Sequence, residues 1–138
     1  MRVFLDANVL FAAAISAEGR SAALFLLAEH GMCEFVTSWH VLTEARRNVD
    51  ARYPNARRRL EQLVRRTTIA PEASSSRVAR AQQERVPEED APILAAAIDA
   101  GVDVFVTGDR RHFGHLFGRT VERVRILSLA RTLALLVE

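Results

Sequence analysis

Four acidic residues stand where packing alone would not choose them. Asp6 closes the apolar run Arg2–Leu5, and Asp109 follows the β-prone run Val102–Thr107 by two residues. Asp90 precedes Ile93, Leu94, Ala97 and Ile98 by three, four, seven and eight residues, so on a helix it opens the buried stripe. Glu44 comes three residues after Val41 and just before Ala45, at the edge of its helix's core face. Each has a plain explanation when taken singly. A carboxylate at a strand end caps the next helix, Asp90 serves as an N-cap, and Glu44 pairs with Arg47 on the surface. Taken together, they come from four separate elements and aim at the same end of a sheet. Converging carboxylates repel one another unless positive charge lies among them. Oxygen ligands without Cys select hard divalent cations, Mg²⁺ or Mn²⁺.

Such a set suits displacement at phosphorus. Two ions about 3.5–4 Å apart would activate a water and stabilise charge growing on the leaving oxygen. No protein nucleophile is then required, and the sequence offers no convincing one. Cys33 follows a helix end, and no Ser has an evident His and Asp behind it.

The elements that must hold these acids alternate along the chain. Strands are expected at Arg2–Leu5, Glu34–Thr37, Thr67–Ala70, Val102–Thr107 and Arg123–Leu127. Helices are expected at Asn8–Ser16, Ser21–Glu29, from the Ser38 cap to about Val49, Asn55–Arg66, Arg77–Glu84 and from Ser128 to about Val137. Pro87 and Pro92 bracket Glu88-Glu89-Asp90, and proline fits a helix only in its first turn, so the helix ending at Gly101 starts between Glu88 and Ala91. This alternation predicts an α/β fold, a mostly parallel sheet of four or five strands with helices on both faces. Sites in such sheets lie at the carboxyl ends of the strands.

Composition narrows the class. The 138 residues are 49% hydrophobic and 26% charged, close to average globular usage, and are read as a single domain over residues 1–138. One Cys excludes a disulfide scaffold and a cysteine-rich zinc site. No apolar run reaches a membrane span, and Asp6 and Asn8 interrupt the stretch Val3–Ala17 that otherwise imitates a signal peptide, so the expected location is the cytoplasm. All 19 basic residues are Arg. The absence of Lys weighs against a haloacid-dehalogenase-type phosphatase and a response-regulator receiver. The first would also want Asp-x-Asp where this chain has Asp6-Ala7-Asn8.

The opening VFLDANVL, the helix containing Glu44, and the segment EEDAPILAAAIDAGVDVFVTGDRRHF resemble the PIN-domain ribonucleases, including toxins of bacterial toxin–antitoxin pairs. The likeness runs from Arg2 to about Leu127. It implies a three-layer fold and a Mg²⁺- or Mn²⁺-dependent endoribonuclease, with Asp6, Glu44, Asp90 and Asp109 matching the acidic quartet. Asn8 matches a residue that supports the first Asp or touches the scissile phosphate, and Thr107 matches a hydroxyl that orients the acids. The resemblance also implies an antitoxin that covers the groove, and a homodimer. Many relatives carry a further acid after Thr-Gly-Asp, where this chain has Arg110, Arg111 and His112. Glu89 is the neighbour that could replace Asp90, and the helical stripe favours Asp90.

Eight Arg lie between Arg46 and Arg66 against Asp50 and Glu61, and five between Arg110 and Arg125 against Glu122. Arg46, Arg47, Arg110 and Arg111 are the candidate RNA contacts, since cationic surface beside the site would neutralise phosphates. The plainer reading of such runs is a solvated helix face. His40, one turn before Glu44, is read as structural, and His112 and His115 as loop residues or RNA contacts. Trp39 is read as core or an interface anchor, with base stacking as the lesser option. The competing function is a PIN-like module that binds RNA or an antitoxin through its Arg surface without cutting.

Overall fold

The computed structural model describes all 138 residues. Six strands form one sheet in the order β3-β2-β1-β4-β6-β5, with β1 at Arg2–Leu5, β2 at Glu34–Ser38, β3 at Thr67–Ala70, β4 at Val104–Val106, β5 at Thr120–Val121 and β6 at Val124–Leu127. All neighbours are parallel except β5 and β6. Helices flank the sheet: α1 (Ala7–Ile15), α2 (Arg20–Glu29), α3 (Trp39–Arg52), α4 (Arg57–Val64), α5 (Ser75–Gln82), α6 (Ala91–Asp99), α7 (Arg110–Phe113) and α8 (Leu129–Leu136).

The central strands β1 and β4 are apolar from Val3 and Val104 onward because both of their faces are covered. Val3, Phe4, Leu5, Val104, Phe105 and Val106 are all buried, and Phe4 and Phe105 stack with ring centroids 5.5 Å apart. They belong to one contiguous cluster of 40 buried apolar residues. The chain runs outward from β1 through β2 to β3, then returns to place β4 on the other side of β1. The strand order therefore reverses between β1 and β4, and a crevice opens beyond their carboxyl ends, as expected for an open parallel sheet.

Local signals set the helices. Ser38 leaves β2 and its hydroxyl accepts a hydrogen bond from the Val41 amide, capping α3. Val41, Leu42, Ala45 and Val49 then form the buried stripe of α3. α6 is buried on nearly all sides, from Ile93 through Ile98, so the one-sided stripe expected to start at Asp90 is absent. Asp90 is instead the N-cap residue, and Gly101, at φ +65, ends the turn that follows the helix.

The sheet has six strands where four or five were expected. The extra strand, β5, pairs with β6 through a tight hairpin, Val121 facing Val124. Its two turn residues, Glu122 and Arg123, have φ of +48° and +74°. Such turns favour Asn and Gly, and neither is present, so no local signal announces the hairpin. The expected helix Asn55–Arg66 divides into a short 3-10 turn at Pro54–Ala56 and α4. The segment after Asp109 folds into α7 and a 3-10 turn at Gly114–Leu116 rather than a loop.

Candidate active site

The register of the two central strands makes the first half of the site. Leu5 pairs with Val106, so the residues that follow them, Asp6 and Thr107, leave the sheet side by side. The Asp6 amide donates to the Val106 carbonyl at 3.2 Å, which fixes the turn. Asp6 is 5% exposed, and its carboxylate accepts the Thr107 hydroxyl at 2.7 Å and the Ala7 amide at 2.8 Å. Capping α1 and serving the site are thus the same act. Burial raises the Asp6 pKa to about 6, against the lowering effect of these two hydrogen bonds; Glu44 and Asp109 raise it further.

Asn8 links the two strand ends. Its amide nitrogen lies 3.3 Å from Thr107 Oγ1 and 3.4 Å from Asp6 Oδ2, while its carbonyl accepts the Gly108 amide at 2.8 Å. A Cβ at Gly108 would stand 3.3 Å from Asn8 Oδ1, so glycine keeps this approach open. Thr107 Oγ1 also accepts the Asp109 amide at 3.0 Å. One hydroxyl therefore orients both strand-end acids.

Asp109 and Asp90 make the second half. Asp109 caps α7 by accepting the His112 amide at 3.0 Å. Phe113 is fully buried against Phe105, with ring centroids 5.0 Å apart, and pins this short helix to the core. His112 is thereby turned back over the acids. Its Nδ1 lies 2.9 Å from Asp90 Oδ2 and 2.9 Å from Asp109 Oδ2.

Asp90 occupies an N-cap but makes no capping hydrogen bond. It is 8% exposed, and burial raises its pKa to about 6; His112 opposes the shift, while Asp6, Asp109 and Glu89 add to it. Glu89, the alternative to Asp90, is exposed at the rim of the same groove. Glu44 is exposed on α3 but lines that groove with Asp6, Asp90 and Asp109. Its pKa is raised by desolvation, then by Asp90 and Asp109, with Arg47 opposing.

All four expected acids therefore face one groove. The residue that sequence reading assigned elsewhere is His112. Its signal was the spacing Asp109-x-x-His112 behind a strand, which places the two side chains on one face once a helical turn forms.

A divalent cation suits this donor set on a specific ground. Asp90 Oδ2 and His112 Nδ1 are both buried and neither has a hydrogen-bond partner, because their 2.9 Å approach is not oriented as a hydrogen bond. Leaving buried acceptors unmatched is costly, and a cation among Asp90, Asp109 and His112, whose ligand atoms lie within 4.8 Å of one another, would satisfy them.

The groove continues past Glu44, Glu89 and Asp90 to Trp39, His40, Arg47 and Glu72. Trp39 is 52% exposed and is not core. His40 faces Glu72 at 3.8 Å rather than packing inside. Among the arginines, Arg46 holds Glu61 with both ends of its fork, at 3.1 and 2.7 Å. Arg47 lines the groove without an ion-pair partner, and Arg110 and Arg111 lie exposed on α7. Arg52, which was not among the expected contacts, lines the groove beside Asn48 and Phe11, with its guanidinium over the Phe11 ring. His115 approaches the Glu84 carbonyl at 2.7 Å, away from the acids.

A strand-reversal crevice lined with carboxylates defines an α/β protein with an acidic site of the kind that holds divalent ions. The comparisons with known proteins make the class specific. Residues 2–111 match the PIN domain, and the chain belongs to that family. Among solved structures, it is similar to VapBC2 from Rickettsia felis, bound to a DNA fragment from its promoter, with TM-score 0.70 and 17% identity over 93% of this chain and 98% of that one. PAE2754 from Pyrobaculum aerophilum gives TM-score 0.70 and 18% identity over 99% and 96%. VapC20 from Mycobacterium tuberculosis, a Sarcin-Ricin loop cleaving toxin, gives 0.61 and 16% over 87% and 97%. No curated protein matches the sequence.

Proposed function

We propose that this protein is a Mg²⁺- or Mn²⁺-dependent endoribonuclease that hydrolyses RNA phosphodiester bonds, and that it is the toxin of a toxin–antitoxin pair. The observation that carries the reading is the convergence of Asp6, Glu44, Asp90 and Asp109 on one groove, with a buried Asp90 oxygen that no protein donor satisfies. Asp6, Glu44, Asp90 and Asp109 would hold the cation. Once bound, it would supply an activated water and stabilise charge on the leaving oxygen.

The chain's own residues do the rest. Thr107 and the Ala7 amide hold the Asp6 carboxylate in one orientation. Asn8 ties β1 to the Gly108 turn and supports the Asp6 carboxylate. Arg47, Arg52, Arg110 and Arg111 offer cationic surface for flanking phosphates, whereas the Arg46 donors are occupied by Glu61.

The antitoxin partner is supported by the VapBC2 structure and by that of FitAB bound to an IR36 DNA fragment (TM-score 0.58, 18% identity over 92% of this chain and 94% of that one). RNA as substrate is supported by the likeness to VapC20, a Sarcin-Ricin loop cleaving toxin. A homodimer is part of the same reading. No single helix is long and apolar enough to cross a membrane. The proposal places residues 1–138 in the cytoplasm as one functional unit.

The test is a calorimetric titration of Mn²⁺ into metal-stripped wild-type protein and Asp90→Asn, paired with RNA cleavage in Mn²⁺ and in chelator. Binding that weakens at least about tenfold in the variant, with cleavage abolished by chelator, is expected. RNA binding without metal uptake or cleavage would identify a non-catalytic PIN module instead.

A further inference from the structure

Three groups meet at the mouth of the crevice between α6 and α7, and one of them is not a carboxylate. Asp90 Oδ2 and Asp109 Oδ2 each stand 2.9 Å from His112 Nδ1. Asp90 is more than nine-tenths buried, and its Oδ2 and the facing imidazole nitrogen lack hydrogen-bond partners. The backbone that carries the His112 ring is held in place. It forms a four-residue helix fastened at one end by the Asp109 cap and at the other by the fully buried Phe113.

From this placement we infer that His112 Nδ1 is a metal ligand, and that it tunes the site toward Mn²⁺ and away from Mg²⁺. The inference rests on the metal-dependent reading above and adds to it a preference between the two ions. Imidazole nitrogen suits borderline transition ions, whereas Mg²⁺ takes oxygen and holds its waters tightly. A site of two carboxylates and one imidazole therefore favours Mn²⁺ over Mg²⁺ more than a site built from carboxylates alone. The segment that follows Asp109, Arg110-Arg111-His112-Phe113, supplies no further carboxylate.

The experiment is pulsed electron paramagnetic resonance of Mn²⁺ bound to the full chain, read for ¹⁴N modulation, together with calorimetric Mn²⁺ and Mg²⁺ affinities. Wild type, His112→Ala and His112→Asp are compared. Circular dichroism confirms folding, which the part-exposed position of His112 favours. Wild type is expected to show directly coordinated ¹⁴N that disappears in both variants. His112→Ala should lose about tenfold or more in Mn²⁺ affinity. His112→Asp should bind Mg²⁺ more tightly than wild type and lower the Mn²⁺-to-Mg²⁺ preference by about tenfold.

Mn²⁺ bound to wild type without ¹⁴N modulation would overturn the inference while leaving the metal-dependent reading intact, with His112 acting only as a charge neighbour. An unchanged metal preference in His112→Asp would overturn it as well. Failure of wild type to bind Mn²⁺ at all would overturn both readings, so the two failures are distinguishable.

Discussion

Two charged regions of this molecule face each other across α3 and obey opposite rules. On one side, Asp6, Glu44, Asp90 and Asp109 gather like charges with too few counter-charges. On the other, Arg46, Arg57, Asp50 and Glu61 alternate in sign and close every pair: Glu61 takes Arg46 at 2.7 Å and Arg57 at 2.9 Å, and Arg57 reaches Asp50 at 2.6 Å. Desolvation and repulsion raise the pKa values of Asp6, Asp90 and Glu44, while Arg46 lowers that of Glu61 despite partial burial, with Arg57 contributing. A paired network serves the fold, whereas an unpaired cluster costs stability and persists where a ligand will discharge it.

The strongest way to break this contrast is Asp6→Asn. RNA cleavage is expected to fall by about a hundredfold or more, since even groups behind a metal ligand are worth about 10–100-fold. Metal-free melting at pH 7 should not fall, because the buried carboxylate carries a penalty there that Asn does not. A variant that loses activity and stability together would mean that Asp6 is chiefly a cap.

The second test is the pH dependence of stability without metal. Asp6 and Asp90 have folded pKa values raised from 3.8 to about 6, so between those values the native state binds more protons than the unfolded one. Stability from these groups is greatest in acid and is lost as pH rises from about 4 to about 6. Glu61 works the other way, its contribution being present above pH 4.5 and lost on acidification. Denaturant melts of wild type and Asp90→Asn at pH 4, 5, 6 and 7 separate the two, with a shallower decline expected in the variant.

The smallest expected effect is that of Glu61→Gln. Both partners are about 30% exposed, so solvent screens the pairs and the loss should be about 1 kcal/mol by denaturant titration, with Mn²⁺ affinity unchanged. A large change in metal affinity would show that the two regions are coupled through α3.

Much of the site was legible in the sequence because it is built at element boundaries. The β1 and β4 runs are apolar from Val3 and Val104 onward, and the one to three residues after each read directly as Asp6 and Thr107-Gly108-Asp109. The one-sided stripe that points to Asp90 is only part of its setting, since α6 is buried around nearly its whole circumference. The sixth strand was hidden by a hairpin whose positive-φ residues are Glu122 and Arg123. Charge spacing could not tell Arg46, held by Glu61, from the unpaired Arg47 beside it.

What the sequence determined by itself was the order of strands and helices and the acids at their ends. Periodicity, capping residues and proline positions act within a few residues of one another. What only the tertiary structure decided was which distant groups meet. The return of the chain to place β4 beside β1 brings Thr107 onto Asp6, and the anchoring of Phe113 against Phe105 swings His112 over Asp90. Those contacts arise from sheet topology and core packing, which couple residues far apart in the chain and leave no local trace at either one.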